Sequence, residues 1–311
     1  MLKKIFLTLA FVASVALMAK AQQITGQWTI YPQIGFTIDR LVDTPEHAYY
    51  LTAGSLYSYD SADNENFVYT TNNRLTDTGI SDIYYNYDGR YLLVAYSNGN
   101  IDLLYDDGRT VNMPDIKDAL LTVGRGINCV AFDGDRIYVA TQFGLVVFDD
   151  KRHEVVESGI WNRNMDQVFV LGDMLMLIEG YILYGAPLSG RHNSIDRFEN
   201  LGGCSARNVV VISDDTYLFK LSSNLTDLYY GKMNFQTKTL SLKNLNTKVS
   251  GDIQKTGAGV YAVSGDNMLM YNSDATVART VPLPSAVRGQ RLSMARGLDA
   301  VWFGGAEGVS C

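Results

Sequence analysis

The stretch GINCVAFDGDRIYVATQFGLVVFDDKRHEVVES, residues 126–158, decides the fold. Residues 127–132 are apolar and rich in strand-forming side chains, Asp133-Gly134-Asp135 is turn chemistry, and residues 136–141 form a second apolar run. Gln142-Phe143-Gly144 turns into a third run, 145–148, after which Asp149-Asp150-Lys151-Arg152 leads to a fourth, 154–158. Four short strands joined by tight loops make one antiparallel meander. Its apolar residues fall on both faces, so such a sheet is not stable alone in water and needs a neighbour on each side.

The chain supplies those neighbours by repetition. Before this stretch, residues 49–52 and 56–60 flank Ala53-Gly54, and residues 91–96 and 101–105 flank Ser97-Asn98-Gly99-Asn100. After it come 174–178 and 181–184 around Glu179-Gly180, then 217–221 and 225–230 around Ser222-Ser223-Asn224. The sixth copy is 260–263 and 268–271 around Gly265-Asp266-Asn267, and the seventh is 301–304, Gly305-Ala306-Glu307-Gly308 and Val309. The Asn98-Gly99 pair is a strong hairpin signal, because both central residues tolerate positive φ. With Gly54, Gly99, Gly144, Gly180, Asn224, Asn267 and Gly308 as markers, the intervals are 45, 45, 36, 44, 43 and 41 residues.

A period near this length with strand-only content predicts an all-β fold, a β-propeller of seven four-stranded blades, over an all-β solenoid, whose repeats are shorter. No stretch carries sustained helical periodicity with caps; residues 115–123 come nearest and fall between blades. In each blade the first strand is expected to line the central channel and the fourth the rim, leaving the loops to form two binding faces. The seventh copy stops at Cys311, short of a full third strand, so the last blade reads as incomplete. Residues 28–31, Trp28 through Tyr31, are the strand placed to complete it from the N-terminal side. On this reading the propeller domain, residues 22–311, is a fragment of a longer multidomain protein.

Met1-Leu2-Lys3-Lys4 is a short basic segment, residues 5–18 are apolar, and Ala19-Lys20-Ala21 has the small-x-small pattern of a cleavage site. Residues 1–21 are therefore read as an export signal and Gln22 as the mature N-terminus, which places the protein in the periplasm or at the cell surface. No later apolar run is long enough to cross a bilayer, so the mature chain carries no predicted transmembrane segment. Loss of Lys3, Lys4 and Lys20 takes the formal charge from -7 to -10, which argues against nucleic acid as a partner. Cys129, Cys204 and Cys311 are an odd number in an exported chain, so at least one is unpaired or joined to another molecule. Cys129 lies among apolar strand residues and Cys204 follows Gly202-Gly203; both read as buried or incidental thiols, with a disulfide as the alternative.

Catalytic signatures are missing from the sequence. His47, His153 and His192 stand alone, none spaced as a metal pair, and each reads as a solvated loop side chain. Neither a nucleophile elbow nor a phosphate-binding glycine loop is present. The acidic segment 60–65 lacks the alternating oxygen spacing of a calcium loop and reads as a solvated turn, as do Asp88-Gly89, Asp107-Gly108 and Asp133-Gly134. Paired carboxylates for glycoside hydrolysis come from distant blades and leave no local spacing, so a polysaccharide-active enzyme stays open as an alternative. The twenty tyrosines read chiefly as packing residues, with a carbohydrate-stacking platform as the alternative. The expectation is no catalytic, cofactor-binding or metal residue.

Val301-Trp302-Phe303-Gly304-Gly305-Ala306-Glu307-Gly308-Val309, echoed at residues 139–145, resembles the repeat of two-component-regulator propellers. Gly26-Gln27-Trp28-Thr29-Ile30-Tyr31-Pro32, Tyr57-Ser58-Tyr59-Asp60 and Asn73-Arg74-Leu75-Thr76-Asp77 resemble the N-terminal propeller of PorZ-like proteins of type IX secretion. That resemblance covers nearly all of residues 24–311 and implies a non-enzymatic accessory that works beside a sortase-like protease and recognises anionic lipopolysaccharide. It maps no binding residues onto this chain. A periplasmic ligand-sensing propeller of a two-component regulator is the other reading it leaves.

Overall fold

The computed structural model describes residues 30–32, 38–44, 47–60, 65–256, 259–283, 293–296, 301–305 and 308–310. After a short strand β1 (Ile30–Pro32), six four-stranded meanders follow one another along the chain. Blade one is β2 (Arg40–Asp43), β3 (Ala48–Thr52), β4 (Ser55–Asp60) and β5 (Glu65–Tyr69). Blade two is β6 (Ile80–Asn86), β7 (Tyr91–Tyr96), β8 (Ile101–Tyr105) and β9 (Thr110–Met113). Blade three is β10 (Ile127–Asp133), β11 (Arg136–Thr141), β12 (Gly144–Asp149) and β13 (Glu154–Ile160). Blade four is β14 (Gln167–Leu171), β15 (Met174–Glu179), β16 (Ile182–Pro187) and β17 (Glu199–Gly203). Blade five is β18 (Ala206–Ser213), β19 (Thr216–Leu221), β20 (Asn224–Asn234) and β21 (Thr239–Lys248). Blade six is β22 (Ser250–Thr256), β23 (Gly259–Ser264), β24 (Asn267–Tyr271) and β25 (Val277–Pro282).

This is the all-β propeller that the repeat predicts, with a correction to the count. Six blades are contiguous four-stranded meanders, where seven copies of one unit were expected. The remaining strands, β26 (Ser293–Arg296), β27 (Val301–Gly305) and β28 (Gly308–Ser310), form a composite sheet with β1. There Ile30 faces Ser310, Tyr31 faces Val309 and Pro32 faces Gly308 in antiparallel register, so the fourth place is filled from the N-terminal side. Trp28 and Cys311 lie outside the described residues. The innermost strands β2, β6, β10, β14, β18 and β22 stand in that order, and β26 touches both β22 and β2.

The core sits between sheets rather than within any one of them. Because strand side chains alternate faces, Leu93 and Ala95 of β7 point into the seam with blade three, while Leu92, Val94 and Tyr96 point into the seam with blade one. The pattern repeats around the ring. Ile137 and Val139 of β11 face blade two and Tyr138 and Ala140 face blade four; Leu175 and Leu177 of β15 face blade three and Met176 and Ile178 face blade five. Each Leu, Val, Ile and Met among these contributes about 1.5–3 kcal/mol by leaving water. On blades one and six the faces turned away from this series carry their own apolar groups, Ala48 and Tyr50 on one and Tyr261 and Val263 on the other.

The turns explain the registers. Ala53 and Gly54 both take positive φ, 48° and 72°, as a two-residue hairpin requires. The hairpin expected at Asn98-Gly99 joins β7 to β8; of these two only Gly99 takes positive φ, at 88°, and the loop closes through Gly99 N–H to Tyr96 and Tyr96 N–H to Asn100. The Asn98 side chain accepts the Asn100 N–H instead, at 3.0 Å. Residues 115–123 hold one helical turn, α1 (Asp115–Asp118), which buries Ile116 and then breaks off. Gly144 is fixed by close approach: at φ 149°, an added Cβ would stand 1.9 Å from the Gly159 carbonyl oxygen.

Gly144→Ala is expected to cost about 3 kcal/mol or more through that clash. Gly134→Ala, at φ 51° with nothing within 4 Å, is expected to cost about 1 kcal/mol from backbone strain alone. Urea midpoints of the two variants check the difference.

Candidate functional site at the channel mouth and the blade seams

Antiparallel alternation puts the turns between second and third strands on one face of the ring, together with the connections between blades. This upper face also holds the starts of the innermost strands. Those starts are irregular: β6, β10, β18 and β22 each carry a register shift in their pairing to the next strand. Such bulges turn side chains away from the regular pleat. Ser81, Asn128, Asn208 and Gly251 fall at these shifts.

Arg40 is the first residue of β2, the innermost strand of blade one. Its Nε lies 3.2 Å from Asp82 of β6 and its Nη1 3.4 Å from Asp252 of β22, so one guanidinium joins blades one, two and six. Asp82, the largest influence, holds the guanidinium firmly protonated against the cost of burial. Lys220 of β19, 4% exposed, donates to the Gly251 carbonyl at 2.6 Å and lies 3.6 Å from Asp252, which brings in blade five. Tyr84 donates to Asp82 at 2.9 Å, and burial first, then that carboxylate, pushes its phenol well up. Two cations and two carboxylates thus neutralise one another. Cys129, beside them, is a free thiol whose pKa burial raises, with its sulfur 3.5 Å from the Val168 carbonyl; nothing there makes it nucleophilic.

The second polar concentration is a seam. The segment Asn73-Arg74-Leu75-Thr76-Asp77 connects blade one to blade two and grips it at several points. Asp102, fully buried, accepts from the Thr76 N–H at 2.8 Å, the Thr76 hydroxyl at 2.6 Å, the Tyr96 hydroxyl at 2.6 Å and Asn112 at 2.9 Å. Asp77 accepts from Asn98 at 2.8 Å and from Lys117 at 2.9 Å. Arg74 donates to the carbonyls of Tyr105 and Arg109, each at 3.0 Å. On the opposite face Tyr91 donates to Asp150 at 2.5 Å and Asn86 donates to Tyr91 at 2.9 Å, tying blade two to blade three. Blade four has its own clamp, with Arg163 on Glu179 and on the Tyr184 hydroxyl.

The isolated histidines need correcting. His192 is 3% exposed, with Nε2 3.1 Å from the Pro187 carbonyl and its ring edge-on to Tyr138, so it is a core residue and not a solvated one. His153 Nε2 sits 2.8 Å from the Tyr105 hydroxyl, and His47 Nδ1 lies 3.7 Å from Asp60. Cys204 is free and buried, 3.7 Å from the Tyr217 hydroxyl. Asp60 and Glu65 face each other across β4 and β5, closing the acidic turn; residues 61–64 lie outside the described residues. Most tyrosines pack, as Tyr91, Tyr96 and Tyr217 do at 0% exposure, but Tyr87 at 62% and Tyr181 at 70% are open to solvent. Among the described residues no group of His, Cys, Asp and Glu is arranged to hold a metal ion, and no helix is long and apolar enough to cross a membrane.

Residues 48–190 match the family model of the PorZ N-terminal β-propeller domain of type IX secretion. The fold is similar to that of PorZ from Porphyromonas gingivalis, a bacterial surface component of the type-IX secretion system, with TM-score 0.72 and 20% identity over 91% of this chain. The chain spans 37% of the length of that protein. It is also similar to the WD40 propeller of Doa1, at TM-score 0.63 and 9% identity, covering 91% of this chain and 95% of that one. The extracellular domain of a putative one component system from B. thetaiotaomicron is similar at TM-score 0.60 and 14% identity, covering 91% of this chain and 40% of that one. No curated protein matches in sequence.

The seam has a testable electrostatic signature. The Asn98 amide, then Lys117, depress the Asp77 pKa to about 2. A carboxylate depressed on folding stabilises above its unfolded value near 4 and loses that contribution as pH falls towards the folded value. Asp77→Asn is expected to lower the urea midpoint at neutral pH and to reduce its fall between about pH 4 and about pH 2. Denaturation of both proteins across that range checks it.

Proposed function

We propose that this chain is a non-catalytic β-propeller scaffold of the PorZ kind, acting on the exported side of the cell once residues 1–21 are removed. The observation that carries the reading is the match of residues 48–190 to the PorZ propeller model. The polar geometry supports it. The carboxylates at the channel mouth, Asp82 and Asp252, both face Arg40, and Asp102 accepts four hydrogen bonds inside a seam. A general acid needs a raised carboxyl pKa beside a partner carboxylate, whereas among the described residues the carboxyls with displaced values, Asp77, Asp149, Asp215, Asp227 and Asp274, are all displaced downwards.

The composite sheet of β1 and β26–β28 serves in this reading as the seventh blade. It receives the apolar faces that blades one and six turn towards it, and it closes the ring with strands from both ends of the described chain. Arg40 reinforces that closure by reaching from blade one to blade six directly. The partner is a secretion or sortase-like protein, an anionic surface glycan, or both in one complex. The similarity to an extracellular sensor domain favours a second reading, a ligand-sensing propeller.

Crosslinking of the exported protein in its own cells, followed by affinity recovery, separates the two. The scaffold reading expects a secretion or sortase-like component among the covalent partners, with anionic glycan retained on the complex. Recovery of a membrane-bound signalling protein with no secretion component would replace it by the sensor reading.

A further inference from the structure

The rim of blade five differs from that of the other contiguous blades. Its outermost strand, β21, has ten residues, where β5, β9, β13, β17 and β25 have four to seven. Long exposed edges are rare in propellers because each offers a row of unpaired N–H and C=O groups to any passing chain. β21 is hydrogen-bonded to β20 alone, so its outer edge has no strand partner among the described residues. Leu242, 43% exposed, stands on that same strand.

Charge selects what that edge can accept. Residues 224–248 hold Lys232, Lys238, Lys243 and Lys248 against a single carboxylate, Asp227, in a chain whose net charge is -7. Lys232, Lys238 and Lys248 pair with Asp215, Glu199 and Asp227, but their side chains stay 53%, 59% and 73% exposed. Exposed pairs of this kind contribute about 0–1 kcal/mol and exchange partners readily. Lys243 is exposed on the strand itself. Lysines on an edge repel a second basic edge, which protects against self-assembly, and attract a chain of opposite charge.

We infer that the outer edge of β21 receives an extended acidic peptide segment of a partner protein as a fifth strand of blade five. Main-chain hydrogen bonds supply the affinity, and the lysines with Leu242 select alternating acidic and apolar side chains. The inference concerns the rim, and it stands whether the propeller serves secretion or sensing.

The probe is a synthetic peptide of about ten residues that alternates Val and Glu, long enough to pair along the whole strand. Fluorescence anisotropy with the whole exported protein should show saturable binding, and hydrogen exchange should show new protection in residues 239–248. The same peptide N-methylated at alternate backbone positions should not bind. Lys243→Glu, at a position that forms no ion pair among the described residues, should weaken binding about fivefold, while Lys151→Glu on blade three should leave it unchanged. Equal binding of the N-methylated peptide, or protection elsewhere than residues 239–248, would overturn the inference. So would binding of dextran sulfate at β21 without binding of the peptide, which would assign the lysines to a polyanionic glycan. None of these outcomes alters what the crosslinking experiment reads.

Discussion

A sheet that is apolar on both faces is only half of a core, and that constraint shapes the whole chain. The second strands carry it most plainly. On β7 the side chains of Leu92, Leu93, Val94 and Ala95 are all at 0% exposure, yet they serve two different seams. No blade can be removed without exposing a face on each of its neighbours, so stability is shared around the ring instead of residing in one unit.

Polar residues do a second job that follows from the first. Packing between sheets is weakly directional, and charged or hydrogen-bonded clamps fix which blade meets which. Asp102, with its four donors, sets the angle at which the connection 70–79 leaves blade one; Tyr91, Asn86 and Asp150 do the same on the opposite face. At the channel mouth Arg40 and Lys220 meet Asp82 and Asp252 from four different blades. Asp102, at 0% exposure, would cost several kcal/mol if left without its donors, so that seam is satisfied as a set.

Much of this organisation was legible in the residue order because it is local. The turns at Ala53-Gly54, Asp133-Gly134 and Gly144 announce themselves, and each hairpin read from the sequence is the middle pair of a sheet in the structure. What was hidden depends on distance. Arg40, Asp82 and Asp252 are far apart in the chain and meet only because three innermost strands share a channel, so no spacing rule could assemble them. His192 looks like a loop residue and lies in a loop, but the connection between β16 and β17 folds back over Tyr138 and buries it. Asn98 reads through its tolerance of positive φ, whereas its side chain is used to hold Asp77 of the preceding connection. The seventh copy reads as stopping short of a full third strand; in the structure β28 has three residues and pairs with β1, so that sheet is completed from the other end of the chain and is not a seventh contiguous meander. The motif at residues 73–77 was recognisable as a family likeness, and its physical meaning, a clamp between blades, came only with the contacts.

The central claim is that the polar groups of the channel mouth hold the ring together and carry out no chemistry. It is tested most directly by assaying the protein against charged polysaccharides and acyl esters, alongside Asp82→Asn and Asp252→Asn. The account predicts no turnover by any of the three proteins, with both variants less stable to urea than the parent. Turnover by the parent that either substitution abolishes while the fold persists would contradict it.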